Sequence, residues 1–462
     1  MGRRPEPDGG SVVSPRIVVA GGGLAGITAA LACADAGAEV TLLEARARLG
    51  GATHSFRRHG LRVDNGQHVF LRCCTAYRAL LERVGSSPLT QLQPRLDIPV
   101  LAPGRRAGLR RDELPAPLHL ARALARYPLL SPRDRLRAVP AALALSRLDP
   151  TDPALDRRTF GDWLEERRQS PRAVEALWDL IGLPTLNLPA REASLALAVK
   201  VFRTGLLDER SAADIGIPRA PLGVVHGEAA ARALAEAGAE VRLRAPVRGV
   251  HVEGGRVRGV ETEEGLVETD AVILATPPDA AAALVPPESG VDEAALGRLG
   301  TSPIVNVHVV YDRRVTDLDF AAAVGTPVQW VFDRTGPSGL EEGQYLAISL
   351  SGARQYERKK TEELRSLFLP ALELLFPAAA AGRVRTFFVT RERAATFRQA
   401  PGSASLRPGP RTRVPGLVLA GAWTDTGWPA TMEGAVRSGR FASRVALEEL
   451  GEAPVRPEEV AV

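Results

Sequence analysis

The chain has few cysteines, few lysines and few aromatic residues, and each shortage narrows what it can be. Its three cysteines, Cys33, Cys73 and Cys74, have neither the spacing of a metal site nor that of a disulfide framework, so we interpret them as packing residues. There are three lysines, and arginine therefore carries the net charge of +5. Because no basic module interleaved with aromatic residues accompanies this arginine, coding bias is favoured over a nucleic-acid partner.

Long apolar runs are also missing. No run reaches the roughly eighteen residues of a membrane-spanning helix, and residues 1–16 are too polar and proline-rich for a signal peptide. We therefore expect a cytoplasmic protein with a disordered N-terminus at 1–15 and a loose tail at 451–462. With 462 residues and 45% hydrophobic composition, the chain can bury a large core in two or three domains.

What the sequence does contain is a glycine-rich turn between a strand and a helix, within residues 16–51. A buried strand is followed by Gly21, Gly23 and Gly26, which occupy the three G-x-G-x-x-G positions. They allow, in turn, a tight turn, the approach of a pyrophosphate and close packing of the helix on the strand. A second strand ends at Glu44, where a carboxylate accepts hydrogen bonds from an adenosine ribose. The segment predicts a dinucleotide site.

The residues after Glu44 narrow the cofactor to a flavin. Arg48, Gly50 and Gly51 resemble the E-x-x-x-R-x-G-G extension of the flavoprotein superfamily that contains amine oxidases, protoporphyrinogen oxidase and carotenoid desaturases. The resemblance implies that the paired glycines pass against an FAD pyrophosphate and that the arginine neutralises it. The implied cofactor is FAD rather than NAD.

Two later segments resemble the remaining FAD contacts of this superfamily. A short apolar strand ends at Gly421 and precedes a helix that begins near Thr431 and Met432. In the superfamily the free amides and dipole at this helix start stabilise the negative charge of a reduced flavin. The acid after the strand, here Asp425, is expected to hold the ribityl and phosphate region, and a backbone group near Val247 to meet the adenine. The motif for covalent attachment is missing, so non-covalent FAD is expected.

The pattern of elements predicts an α/β fold, in which a Rossmann-type FAD-binding domain is interleaved with a substrate domain of antiparallel sheet and helices. The FAD-binding domain is expected to be discontinuous, comprising 16–76, 225–290 and 410–450. Residues 77–224 are interpreted as a mostly helical region that faces substrate or membrane. Residues 291–409 contain strand-like runs that suit a sheet over the flavin.

The segment 105–147 interleaves arginines with leucines, as a basic amphipathic helix does. Such a helix can lie on an anionic bilayer, although a solvated arginine face on an ordinary domain helix is the favoured interpretation. An anionic membrane surface is therefore kept as an alternative partner. The electron donor that reduces the flavin is not identified by the sequence.

The most specific resemblance lies in the run D-N-G-Q-H at residues 64–68. With R-L-G-G upstream and D-T-G-W-P-A-T-M-E-G-A downstream, it closely resembles the hydroxysqualene dehydroxylases, squalene-associated flavoproteins of bacterial hopanoid pathways. The resemblance implies that Gly66 and Gln67 lie beside the isoalloxazine ring. His68 is the best-placed general acid, and Asp64 is expected to orient it. The structural alternative is that Asp64 caps a turn and His68 bonds the flavin or the backbone.

Further candidates for the substrate cavity are less specific. Amine oxidases place two aromatic rings beside the flavin, and here Trp423 and Trp428 are the strong candidates near it. Asn306 and His308 share one face of a predicted strand, where a solvent-facing polar stripe is favoured over a cavity lining.

The family resemblance implies a reaction in which hydroxysqualene, an allylic polyisoprenoid alcohol, loses its hydroxyl group and gains a hydride to give squalene. The motifs fix the cofactor and not the direction of electron flow. A phytoene or dehydrosqualene desaturase is therefore the nearest alternative, and a protoporphyrinogen oxidase is less favoured. A non-catalytic lipid-binding escort protein is a further alternative, against which the intact flavin motifs argue.

Overall fold

The computed structural model describes residues 14–451, and a five-stranded parallel sheet forms its first layer. The predicted N-terminus 1–15 and tail 451–462 lie outside the described residues except at their inner ends. Ala20, Leu274 and Leu419 align at the carboxyl edge of the sheet, where open α/β sheets bind ligands. In spatial order the strands are Glu240–Leu243, Glu39–Glu44, Arg16–Ala20, Ala271–Leu274 and Leu417–Leu419.

The parallel sheet is covered on both faces because its strands are apolar throughout. Ile17 and Val19 pack against a layer of helices, whereas Val18 and Ala20 pack against a small antiparallel sheet and two short helices. The helical layer consists of Leu24–Asp35, Thr75–Arg83, Ala229–Glu236 and Met432–Glu449; the other face carries the strands Gly249–Glu253, Arg256–Thr262 and Gly265–Glu268 with the helices Pro278–Leu284 and Glu293–Arg298.

A seven-stranded sheet forms the second large unit. Its neighbouring strands are antiparallel apart from one parallel pair, Phe320–Ala323 with Asp97–Ala102. Alternate valines of its longest inner strand, Val305, Val307 and Val309, pack into a core that includes the helix Thr361–Leu375. In spatial order the strands are Val384–Phe397, Thr301–Tyr311, Gln344–Leu350, Trp330–Asp333, Phe320–Ala323, Asp97–Ala102 and Arg105–Arg110.

A helical layer packs against this sheet, and it begins later in the chain than the sequence predicts. The stretch 105–147 is not one amphipathic helix, because Arg105–Arg110 is an edge strand that pairs with Asp97–Ala102 across a turn containing Gly104, whose φ is 64°. Pairing across a turn of this kind outweighs local helical periodicity. The helices of the layer are Ala121–Ala125, Pro132–Leu145, Phe160–Glu166, Pro171–Ala173, Asp179–Leu186 and Leu195–Phe202, with π-helical turns at Val174–Trp178 and Arg203–Leu207.

Smaller elements join the two units. A hairpin of Ser55–Arg58 and Leu61–Asp64 leads into a three-stranded sheet of Phe70–Leu71, Ile215–Pro218 and Thr90–Leu92. A π-helical turn, Gly223–Glu228, precedes Ala229–Glu236, and short helices occur at Thr335–Ser338 and Arg354–Glu357. Within residues 14–451, no helix combines the length and the apolarity needed to cross a bilayer.

Candidate functional site

The two glycine motifs of the N-terminal segment fold against each other. A Cβ on Gly51, whose φ is 53°, would lie 2.7 Å from the Cα of Gly23. A Cβ on Gly26 would lie 1.8 Å from the carbonyl oxygen of Gly21. A Cβ on Gly23 itself would meet nothing nearer than the Gly51 Cα at 3.8 Å. The backbone therefore needs glycine at 26 and 51, whereas the space beside Gly23 is open.

Glu44 and Arg48 place opposite charges on either side of this turn. The buried carboxylate of Glu44 accepts hydrogen bonds from two backbone amides, one of them Gly22 at 2.7 Å, and the Gly50 amide donates to the Gly22 carbonyl at 2.8 Å. Arg48 donates from Nη1 to the Gly51 carbonyl at 3.1 Å. Burial lowers the pKa of Arg48, and Glu44 acts in the opposite direction. A guanidinium beside a glycine turn suits a pyrophosphate.

The C-terminal motif reaches the same edge of the parallel sheet. Gly421, with φ 142°, follows the strand Leu417–Leu419. Thr431 is the N-cap of the helix Met432–Glu449, and its Oγ1 accepts a hydrogen bond from the Gly434 amide at 3.2 Å. The first amides of a helix have no partner within it, so this start can serve an anionic ligand.

Two further predicted cofactor residues make contacts within the protein. Asp425 is exposed, and its Oδ1 accepts a hydrogen bond from the Gly427 amide at 3.2 Å, which closes a local turn. Val247 is half-buried and packs against the core cluster that contains Trp423. Their contacts with the cofactor remain predictions.

The surroundings of the glycine turn, formed by residues 21–26 and 50–51, fit a large polar ligand. Several buried side-chain atoms near it lack a hydrogen-bond partner among the described residues, which is uncommon for protein interiors and leaves donors and acceptors for a bound group. These atoms are His54 Nδ1, Gln67 Nε2, His226 Nδ1, Thr276 Oγ1 and Asn306 Oδ1.

The D-N-G-Q-H run is fixed by a buried ion pair that sequence reasoning missed. Asp64 Oδ2 accepts from Arg334 Nη2 at 2.6 Å, and Oδ1 accepts from the Ser55 hydroxyl at 2.6 Å and the Leu222 amide at 2.9 Å. Among the described residues Asp64 forms no hydrogen bond with His68, and its carboxylate ties the hairpin to the seven-stranded sheet. That Asp64 orients His68 stays a prediction. No local signal links Asp64 to a residue 270 positions away.

His68 bonds the backbone, as the structural alternative expects. Its Nδ1 lies 3.3 Å from the Gly66 carbonyl, and a Cβ on Gly66 would lie 3.2 Å from the imidazole Cε1. Burial, assisted by Arg334, lowers the pKa of His68, while the Gly66 carbonyl and Asp64 act to raise it. The neutral ring therefore dominates at neutral pH, and its protonated form is scarce.

Asn306 and His308 are wholly buried, so the solvent-facing stripe is wrong. His308 contacts the Tyr345 hydroxyl at 2.7 Å and the Thr390 hydroxyl at 3.0 Å, and burial lowers its pKa to about 3. Asn306 donates to the Asn65 carbonyl at 3.0 Å. The hairpin 55–64 covers this face of the sheet, and that long-range packing was not encoded in the strand's own pattern.

The two tryptophans differ in their surroundings. Trp423 is buried and donates from Nε1 to the Thr276 carbonyl at 2.9 Å. Trp428 is half-buried, with Lys200 Nζ 4.9 Å and Arg437 Cζ 4.7 Å from its ring centroid. Cation–π contacts of this kind hold the ring, which belongs to the loop before the C-terminal helix, against that helix and the helix Leu195–Phe202.

Two cavities lie beside the seven-stranded sheet. A cavity of about 10 Å³, the size of a single water, is lined by residues that include Gln67, His68, Phe332 and Arg334. A cleft of about 600 Å³ opens between the sheet and the helical layer, and Trp330 is among its lining residues. The rings of Trp330 and Phe332 stack at 6.2 Å on one strand, with Trp330 lining the cleft and Phe332 lining the small cavity.

The chain matches a known protein family along most of its length. The model of the flavin-containing amine oxidoreductases covers residues 24–447. A hydroxysqualene dehydroxylase of Rhodopseudomonas palustris is 31% identical over 94% of this chain and 99% of its own length. The chain belongs to the hydroxysqualene dehydroxylase family of flavin-containing amine oxidoreductases. It is an FAD-dependent oxidoreductase, and the α/β prediction is confirmed.

A more distant relative and two solved structures match along nearly the whole chain. The 15-cis-phytoene desaturase of Synechococcus elongatus is 22% identical over 94% of this chain and 96% of its own length. Among solved structures, an oxidoreductase from Methanosarcina mazei matches with a TM-score of 0.70 at 17% identity, covering 92% of this chain and 98% of that one. Putrescine oxidase bound to putrescine matches with a TM-score of 0.70 at 21% identity, covering 95% and 99%. Identities this low show the fold alone.

Proposed function

We propose that this protein reductively removes the hydroxyl group of hydroxysqualene to give squalene, as a step of hopanoid formation. The observation that carries the proposal is the position of Gln67 and His68, which meet the apolar ring of Phe332 at a water-sized cavity. Gln67 Nε2 is buried and has no hydrogen-bond partner among the described residues, so it is available to donate to a substrate hydroxyl. The proposal also rests on likeness to relatives that carry this activity in their names.

The reaction needs one hydride and one proton. The carbon–oxygen bond breaks, the oxygen leaves as water with the added proton, and the resulting allylic cation accepts the hydride at carbon. Reduced FAD supplies the hydride when it is bound. The chain's own part is to deliver the proton, hold the leaving oxygen and exclude bulk water; His68 and Gln67 are the candidates for the first two roles, and Phe332 for the third.

The cofactor is assigned to the residues that converge on the sheet edge. Gly23 leaves open space for the pyrophosphate, Gly21 and Gly51 allow the close backbone approaches around it, and Arg48 neutralises it. Glu44 is assigned to the ribose. The amides at Thr431 and Met432 are assigned to the flavin ring, where a helix start favours negative charge.

A desaturase acting in the oxidative direction is the second candidate. The lowered pKa of His68 favours it, because a neutral imidazole accepts a proton more readily than it gives one. Phytoene and zeta-carotene desaturases are also similar along nearly the whole chain.

Product analysis separates the two. The purified holoenzyme, reduced anaerobically, is offered hydroxysqualene; in its oxidised form it is offered squalene and phytoene, each alone. We expect squalene from hydroxysqualene in a single turnover, with matched reoxidation of the flavin. New double bonds in squalene or phytoene, without loss of hydroxyl from hydroxysqualene, would establish the desaturase instead. A colourless protein that binds all three lipids and leaves them unchanged would support a non-catalytic lipid-binding escort protein.

A further inference from the structure

The helix Pro132–Leu145 exposes apolar side chains on the face that points away from the core. Leu136, Val139 and Leu143 are 76%, 47% and 40% exposed. Their spacing of three and four residues places them on one face of the helix. The opposite face contributes its buried residues to the core of the helical layer. This arrangement reverses the usual one, in which the outer face of a surface helix is polar.

The segment before this helix exposes two more leucines. Leu114 and Leu118 are 49% and 56% exposed. The residues 114–143 thus hold half of the large hydrophobic side chains that the described part of the chain exposes. Scattered exposed hydrophobic residues need no explanation, but a concentration of them marks an interaction surface.

Arginines surround the apolar face with little compensating charge. Residues 114–147 contain six arginines and one acid, Asp134, which is buried against Ser131. Arg126, Arg133 and Arg147 are exposed, and within residues 14–451 none of them forms an ion pair. A second copy of this chain would bring the same positive charge, so self-association on this face is disfavoured.

We propose that the surface formed by Leu114, Leu118, Leu136, Val139 and Leu143 docks on an anionic bilayer, with the surrounding arginines against the lipid headgroups. Apolar side chains inserted at the acyl boundary and arginines at the phosphate level are the two terms that hold interfacial helices. The sequence alone favoured a solvated arginine face on an ordinary domain helix. The exposure of the leucines favours docking on a membrane instead.

The helix Pro132–Leu145 is joined to the lining of the 600 Å³ cleft by a hydrogen bond. Gln169 lines the cleft and donates from Nε2 to the Arg137 carbonyl, in the docking helix, at 3.1 Å. Leu180 and Trp330 supply apolar walls of the cleft, and burial raises the pKa of Asp179, which also lines it, to about 6. A polyisoprenoid dissolved in the bilayer would thus enter the cleft without crossing water, a step that rests on the proposed function.

Vesicle sedimentation tests the docking itself. The holoenzyme is mixed with vesicles of phosphatidylglycerol and phosphatidylcholine, or of phosphatidylcholine alone, at low and high salt. We expect binding to the anionic vesicles, weakened by salt. The triple variant Leu136→Ser, Val139→Ser, Leu143→Ser should reduce partitioning about tenfold or more. Leu374→Ser, at a residue 60% exposed on another helix, is the matched control and should bind as the wild type does.

Charge reversal tests the contribution of the arginines to membrane binding. An activity measurement separates docking from catalysis. Arg133→Glu with Arg147→Glu should also release the protein from anionic vesicles, whereas the exposed Arg256→Glu should not. Flavin content and the melting temperature should stay unchanged in every variant. Absence of wild-type binding to anionic vesicles, or equal binding by the triple variant, would overturn the proposal. Turnover by the triple variant should fall for substrate held in vesicles and persist for substrate in detergent. Absence of wild-type turnover in both vesicles and detergent would instead count against the proposed function.

Discussion

Replacement of Gly23 by valine separates cofactor binding from folding. The backbone at Gly23 has φ −78° and ψ 178°, which any residue adopts, and an added Cβ would find only the Gly51 Cα, at 3.8 Å. The apoprotein should therefore keep its stability. If the pyrophosphate lies in this open space, the side chain displaces it. Displacement of the pyrophosphate costs at least one of its charge-assisted hydrogen bonds with the protein. One such bond is worth about 1.5–3 kcal/mol, so the Kd for FAD should rise by at least roughly 10- to 100-fold.

The assay compares flavin absorbance per protein and the melting temperatures of apo and holo forms. We expect the Gly23→Val protein to be purified largely colourless, with an apo melting temperature equal to that of the wild-type apoprotein. Gly297→Val, at a position where a Cβ meets nothing within 4 Å, should retain full flavin. Gly26→Ala provides the contrast, because its Cβ would overlap the Gly21 carbonyl and unfold both forms. Full flavin occupancy in Gly23→Val would refute the assignment of this turn as the phosphate site.

Three further substitutions test single assignments. Glu44→Ala should weaken FAD binding more mildly than Gly23→Val, by about tenfold, because one hydrogen-bond acceptor for the ribose is lost; unchanged titration of the apoprotein with FAD would contradict this. His68→Ala should keep FAD and slow single-turnover dehydroxylation by about 10²–10⁴-fold, and the wild-type rate should continue to rise as pH falls below 6.5, because the lowered pKa makes the acid form scarce above it. Arg334→Leu leaves Asp64 buried and unpaired, so denaturant unfolding should show a loss of about 3–5 kcal/mol, and the double variant with Asp64→Leu should recover part of it; no recovery would exclude the pair as the cause.

Local chemistry made the backbone of the glycine turn predictable. Gly21, Gly26 and Gly51 are required by close backbone approaches, and such requirements leave a fixed spacing in the sequence. Glu44 is likewise fixed by its place at a strand end. Features that depend on pairing between distant segments were not predictable: the strand Arg105–Arg110 has helical periodicity but joins a sheet edge through its hairpin.

The difference between local requirements and long-range pairing also explains why the surroundings of Asp64 and His68 were harder to predict than the glycine turn. The short separation of Asp64 and His68 suggested a partnership, but Asp64 is held by Arg334, which reaches it from the connection after another strand. That pairing also brings a guanidinium close enough to His68 to lower the pKa of the imidazole. Burial is the larger cause of that lowered pKa, and the residue that stabilises the fold adds to it. For dehydroxylation to proceed at neutral pH, the proton must come from the small population of imidazolium or pass to the leaving oxygen through the water-sized cavity that Gln67 and His68 share.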